Sequence, residues 1–267
     1  MTDPEFNSGA ISAGDCIGQG WNLATRNLGL YIGVSFVGIL LITVVSCIPI
    51  VNLFLIAPLM GGLIYIALRD INNEPIDFGM LFKGFEKFVP LMVVGIIQGI
   101  PGLIFTILRF TIDFASLFGR MAPPPPAGRG DFFQATPTDI NGIMAGLSLL
   151  IIVISLGFII FSIVWAVIFF FAIPLVLDRN LGPIDAIKLS ARAALSNFGG
   201  IILLLILGGL VNILGMMALC FGLLVSVPVT LVANTIAYRM VFPRLSQMYY
   251  TTPPPPGAYG TSFGQGM

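Results

Sequence analysis

Residues 183–239 read PIDAIKLSARAALSNFGGIILLLILGGLVNILGMMALCFGLLVSVPVTLVANTIAYR. In the first part, Ile184, Ile187, Ala191, Leu195 and Phe198 recur at helical spacing and line one face. Lys188 and Arg192 stand on the other face, four residues apart. Pro183 suits the first helical position, where its missing N–H is no loss. From Gly199 to Phe242 the chain is apolar and meets its first charge at Arg239. That run is too long for one membrane crossing of about 20 residues. It holds two crossings, with a turn expected near Leu214 to Leu219. The unit is therefore a short amphipathic helix followed by a pair of spans.

The same unit stands at the start of the chain, 170 residues earlier, without a gap. Asp15 matches Asp185, Ile17 matches Ile187, Ala24 matches Ala194 and Asn27 matches Asn197. Gly29, Gly38, Pro58 and Arg69 match Gly199, Gly208, Pro228 and Arg239. In this copy Ser12 and Asp15 suit a helix start, the hydroxyl taking an amide and the carboxylate facing the positive dipole end. Ile17, Trp21, Ala24 and Leu28 form the apolar stripe. Spans are expected from about Leu28 to Ile48 and from about Leu53 to Leu68, ending at Arg69-Asp70. A looser third copy opens at Glu74-Pro75-Ile76-Asp77. There Phe78, Leu81, Phe82, Phe85 and Phe88 make an apolar stripe, with Lys83, Glu86 and Lys87 on the polar side. Its first span starts near Val89, with Pro101 as a kink and Gly95 and Gly99 as a GxxxG pair that admits a close helix. After a connection near Arg109 to Asp139, the run Ile140 to Leu177 carries no charge. As one helix it would be roughly 57 Å long, nearly twice the ~30 Å hydrocarbon core. One long helix is expected, its first turns standing outside the bilayer, with Pro174 the alternative point of breakage.

The repeat gives an all-α polytopic membrane protein: six transmembrane helices in three hairpins, each preceded by an amphipathic interfacial helix. The repeat units are about 12–70, 74–177 and 182–245, within a single membrane domain spanning 12–245. Residues 1–11 and 246–267 are expected to be disordered tails. The last is Pro/Gly-rich and cannot bury a core. A Pro-rich outer loop is expected at about 119–138. Composition agrees: 57% of residues are hydrophobic and 9% charged, with mean hydropathy +1.01. A soluble domain carries about 25% charged residues. Zero net charge gives no steering towards nucleic acid.

The positive charges set the orientation. Arg26, Arg69, Lys83, Lys87, Arg179, Lys188, Arg192, Arg239 and Arg244 fall on the side of the termini and linkers. Only Arg109, Arg120 and Arg129 fall opposite. This bias places both termini in the cytoplasm and the Pro-rich loop on the periplasmic or exterior side. Cys16 is then cytoplasmic, and Cys47 and Cys220 lie nearer the outer face. A Cys47–Cys220 disulfide is conceivable, although small buried thiols are the ordinary reading.

Little in the sequence points to catalysis. The chain has no histidine, which excludes Ser-His and His-metal sites, and no metal or cofactor is expected. No acidic residue falls inside an expected span, which argues against a proton-coupled pump. Gln98 and Asn212 are the candidate interhelical polar contacts. Pro58, Pro174 and Pro228 each fall in the second helix of a hairpin. They read either as packing kinks or as broken helices lining a substrate site. Arg26, Lys83, Lys87, Lys188 and Arg192 are candidate contacts for anionic lipid or a partner, against the plainer reading of a solvated face.

The Pro-Ile-Asp helix bearing Ser190 and Asn197, the Gly-rich hairpin, Pro228 ahead of Tyr238, and Phe82-Lys83-Gly84-Phe85 carry a resemblance. The chain resembles uncharacterised bacterial six-span integral membrane proteins, related to the membrane-domain group of glycerophosphodiester phosphodiesterases. The resemblance covers most of residues 12–245 and implies no catalytic residues. The expected function is a non-enzymatic structural or accessory subunit that scaffolds lipids or a membrane complex. The alternative is a transporter or channel-like protein for an apolar or lipid-like solute. Partners would be membrane lipids and other membrane-protein subunits. A polar-lined central cavity would favour the alternative, and a solid bundle the first.

Overall fold

The computed structural model describes residues 6–121, 137–218 and 222–244. The Pro123 to Pro126 segment, Arg129, Cys220 and the Pro253 to Pro256 tail lie outside them. Every regular element among the described residues is helical: α1 (Ala13–Arg26), α2 (Leu28–Ser46), α3 (Pro49–Ile71), a 3-10 helix (Phe78–Lys87), α4 (Phe88–Met121), α5 (Pro137–Ile168), α6 (Ala172–Arg179), α7 (Pro183–Ser196), α8 (Phe198–Met217) and α9 (Leu223–Val241). Six stretches are long and apolar enough to cross a membrane: Leu28–Ser46, Val51–Ile71, Phe78–Thr111, Val153–Arg179, Phe198–Met217 and Leu223–Val241. Of these, α3 and α9 are the most buried, and they touch each other at the centre. Helices α2, α4, α5 and α8 turn large apolar side chains outward, such as Phe36, Ile104, Ile154 and Ile206.

Helices α1 and α7 are each 14 residues long, and both end at an Asn that starts the next helix. Both helices pack mainly through small residues. The buried face of α1 is Ala13, Cys16, Gly20 and Ala24, and that of α7 is Ala186, Leu189, Ser190, Ala193 and Ala194. These side chains are mostly small, so the helix backbones come close. A Cβ on Gly20 would stand 2.8 Å from the Val229 carbonyl oxygen of α9. The stripes read as apolar faces point partly outward instead, with Trp21, Leu28, Ile184, Leu195 and Phe198 exposed. Ser12 is the N-cap of α1 in extended conformation, yet its hydroxyl makes no capping bond.

The second short element is a 3-10 helix and not an α-helix. Three residues per turn align positions i and i+3 along one edge. Leu81 and Gly84 are buried on one such edge. Phe82, Phe85 and Phe88 form a ring ladder on another, with centroids 6.3 Å apart at each step. Lys83 and Glu86 pair at 2.5 Å on the third. The expected single stripe of Phe78, Leu81, Phe82, Phe85 and Phe88 is therefore split between edges. The tight winding fits a close crossing over α3. A Cβ on Gly84 would overlap the Pro58 carbonyl oxygen, and one on Gly62 would overlap the Leu81 carbonyl. Gly95 and Gly99 of α4 also face α3. A Cβ on Gly95 would lie 2.6 Å from that of Ala57.

Three boundaries differ from expectation. Helix α4 runs on to Met121 and α5 begins at Pro137, so the connection between them is shorter than the stretch near Arg109 to Asp139, or 119–138, read from composition. A helix of 34 residues is about 51 Å long and overruns the hydrocarbon core. The apolar run Ile140 to Leu177 is not one helix, because it breaks between Ile168 and Ala172. The cause is Pro174, which has no N–H for the Phe170 carbonyl and whose ring crowds the preceding turn. The N-terminal segment is held from Phe6 onward, not from Ser12. Phe6 packs on Phe242, the Asn7 N–H donates to the Val241 carbonyl at 2.9 Å, and the Ala10 N–H donates to Asn197 Oδ1 at 3.0 Å.

Candidate functional site

A cavity of about 510 Å³ lies among α3, α4, α5, α6, α8 and α9. Its depth follows from the residues that line it. Leu205 and Thr230 are each near the middle of their helices, as is Ile64 a little deeper along α3. The wall is mainly aliphatic and aromatic, and it carries no charged side chain among the described residues. Four polar side chains reach it: Gln98, Thr230, Asn234 and Thr235. The two threonines spend their hydroxyls locally. Thr230 Oγ1 donates to the Val227 carbonyl at 2.9 Å and Thr235 Oγ1 to the Leu231 carbonyl at 2.8 Å.

The helix break supplies one wall, through Phe169, Phe170, Ile173 and Pro174. Breaking a helix inside an apolar bundle strands backbone groups, and stranded groups there are costly. Ser190 of α7 answers this. Its Oγ donates to the Ile168 carbonyl at 2.6 Å and accepts the Phe171 N–H at 3.1 Å. The Ser190 side chain is fully buried, so one hydroxyl bridges both ends of the gap.

At the end of the bundle where α1, the 3-10 helix and α7 lie, two carboxylates organise the polar groups. Asp70, nearly fully buried, accepts from Arg26 Nη2 at 2.6 Å, Asn27 Nδ2 at 3.1 Å and the Tyr31 hydroxyl at 2.9 Å. Asp178 accepts both Arg239 guanidinium nitrogens at 2.7 Å and the Tyr238 hydroxyl at 2.9 Å. Glu74 joins Arg244 at 2.8 Å and makes an ion pair with Arg69 at 3.2 Å. The Arg69 pair lacks hydrogen-bond alignment at Nε.

The candidate lipid-contact residues divide on this basis. Arg26 is engaged by Asp70, although half of its side chain is exposed. Lys87 Nζ donates to the Val176 and Leu177 carbonyls at 2.9 and 2.8 Å, near the end of α6, where a cation also meets the negative dipole end. Lys83 pairs with Glu86. Arg26, Lys83 and Lys87 make these contacts within the protein, and the side chains of Lys188 and Arg192 are exposed on α7. Of the candidate interhelical contacts, Asn212 Nδ2 donates to Thr230 Oγ1 at 3.4 Å, joining α8 to α9. Gln98 joins α4 to α5 by its backbone, whose carbonyl accepts the Trp165 indole N–H at 3.1 Å. Its side chain lines the cavity.

Asp70 and Asp178 escape the sequence reading, although a signal exists. Each stands five residues before a Pro-Ile-Asp, at Pro75-Ile76-Asp77 and Pro183-Ile184-Asp185. Each is followed by a left-handed Asn, Asn73 at φ 57° and Asn180 at φ 54°. Cys16 is buried and Cys47 exposed, and both thiols are free. Burial, with the Asp15 carboxylate nearby, pushes the Cys16 thiol up to about 11. An impermeant thiol reagent at Cys16 would thus report burial before it reported sidedness. No group of His, Cys, Asp and Glu among the described residues could hold a metal ion.

The architecture defines an all-helical, multi-pass membrane protein. No protein-family model matches the chain, and no curated protein or solved structure matches it.

Proposed function

We propose that this chain is a non-enzymatic, carrier-like membrane protein that accommodates an apolar or lipid-like solute between its helices. The pocket between the helices carries the reading. Six helices leave about 510 Å³ between them, partly open beside the exposed Met60 and Leu205. Its wall is mainly apolar and not the polar lining expected of a transporter, which suits an apolar or lipid-like solute. Sites in such proteins favour broken helices near mid-membrane, and the gap before α6 forms part of this wall. In this reading the spans form three hairpins descended from one repeated unit. The 170-residue register of α1 with α7, and the shared ends of α3 and α9, support the repeat. The short elements lie at the membrane interface, small face to protein and large apolar face to lipid. The charge bias puts them, and both termini, on the cytoplasmic side of a bacterial inner membrane. Kinship with the six-span group related to phosphodiesterase membrane domains belongs to the same proposal.

Native mass spectrometry of gently extracted protein tests it. The parent chain should retain an apolar mass at near one-to-one stoichiometry, and Ile56→Trp, at a half-buried position of the wall, should lose it. Equal retention by both would sink the idea. A second reading, a subunit scaffolding lipids or a membrane complex, is favoured by the outward Trp21, Phe82, Ile184 and Leu195. It predicts co-purifying protein partners that Ile56→Trp leaves in place.

A further inference from the structure

Within the cavity, two side chains are unlike the rest. Gln98 on α4 and Asn234 on α9 are primary amides, and both line the chamber. Among the described residues neither side-chain amide has a hydrogen-bond partner, whereas both cavity threonines are bonded to their own helices. Neither amide is sealed inside protein, in contrast to the enclosed and unpartnered Asn212 Oδ1. An amide offers two donors and an acceptor, and in an apolar chamber it gains by meeting a partner. The bilayer core supplies no water for that purpose.

Resting on the reading of the cavity as a solute site, we propose that Gln98 and Asn234 select an uncharged lipid whose head is a hydroxyl or carbonyl. The aliphatic wall takes the chain, and the amides take the head. A hydroxyl donates to an amide oxygen and accepts from its N–H, and a carbonyl accepts only; both are satisfied here. A carboxylate, phosphate or ammonium is not, because no opposite charge lines the chamber and an unpaired charge at that depth is strongly disfavoured. A plain hydrocarbon fits the wall but leaves both amides unbonded.

The test uses the full chain in lipid nanodiscs and three photoreactive probes of equal length: a diazirine-bearing long-chain alcohol, the matching alkane and the matching carboxylate at a pH where it is ionised. Cross-links are mapped to peptides of α4, α6 and α9. The alcohol should label these peptides most and the carboxylate least. In the Gln98→Leu/Asn234→Leu variant, alcohol labelling should fall about tenfold, the effect of losing one or two hydrogen bonds, while alkane labelling holds. The unchanged alkane signal shows that the variant is folded. Alcohol labelling no better than alkane labelling, or no fall in the variant, would overturn the assignment and leave the cavity as a non-selective apolar site. Preferred labelling by the carboxylate would overturn it as well. If no probe labels the cavity peptides above the lipid-facing peptides of α2, which line no part of the cavity, the solute site itself is wrong, and both proposals go.

Discussion

Replacing Ser190 by Ala would take one oxygen from the molecule and leave two backbone groups without their shared partner: the Ile168 carbonyl and the Phe171 N–H. Each buried orphan costs about 1–3 kcal/mol, so a clear drop in thermal midpoint in detergent is expected. Ser196→Ala, whose exposed hydroxyl only bonds back to the Arg192 carbonyl, should change little. Cys16 gives a prediction in pH. Its thiol is shifted from 9.0 to about 11, so the fold prefers the neutral form. The stability drawn from that preference is complete below about pH 9 and is lost as pH rises towards 11. Alkylation followed by peptide mapping should find Cys47 modified at pH 7.5 and Cys16 protected, with Cys16 reacting steeply above pH 9. Reaction of Cys16 at neutral pH as fast as Cys47 would contradict its burial. Ser190 is plainly visible in the sequence, but its role is not, because the break that it bridges arises on another helix. The same holds for Asp70, whose place at a helix end is legible while its partners Arg26 and Tyr31 arrive from elsewhere in the chain.

At the scale of elements, the crossing of the 3-10 helix over α3 depends on two glycines. Gly84→Ala would drive a methyl group into the Pro58 carbonyl, and Gly62→Ala into the Leu81 carbonyl. Backbone cannot yield as a side-chain tip does, so each should destabilise by about 1–3 kcal/mol, as overpacking does. Gly18, inside α1 with nothing within 4 Å, is the opposite case. There Ala should stabilise by about 0.5–1 kcal/mol. Comparing denaturation midpoints of the three variants checks the order, and a Gly84→Ala variant as stable as the parent would remove the close crossing. Apolar runs located the six stretches long enough to span, but not the break before α6. Apolar periodicity left the buried faces of α1 and α7 unread, because small residues score weakly as apolar yet decide how near two backbones come. It also took the Phe82, Phe85 and Phe88 ladder for part of an α-helical stripe, since spacings of three and four are hard to separate over ten residues.

For the whole molecule, orientation is the first thing to measure. Reporter fusions after Arg244 should be active in the cytoplasm and inactive outside, and the reverse result would invert the charge-based assignment. Glu74 and Asp178 engage three of the arginines at the end of the bundle that carries the short helices, and Lys188 is exposed on α7, so Lys188→Gln is a mild way to weaken the orienting signal. Length and composition made the membrane class legible. They could not show the central cavity, because a void is the product of six helices and no single segment encodes it. The packing of the first helix on the last, α1 on α9, also sets a timetable for biogenesis. At 5–20 residues per second, roughly 10–40 s of synthesis separate Arg26 from Val241. Throughout that interval Cys16, Gly20 and Ala24 have no α9 to rest on, and the insertion machinery or the lipid surface must shelter them until the final span arrives.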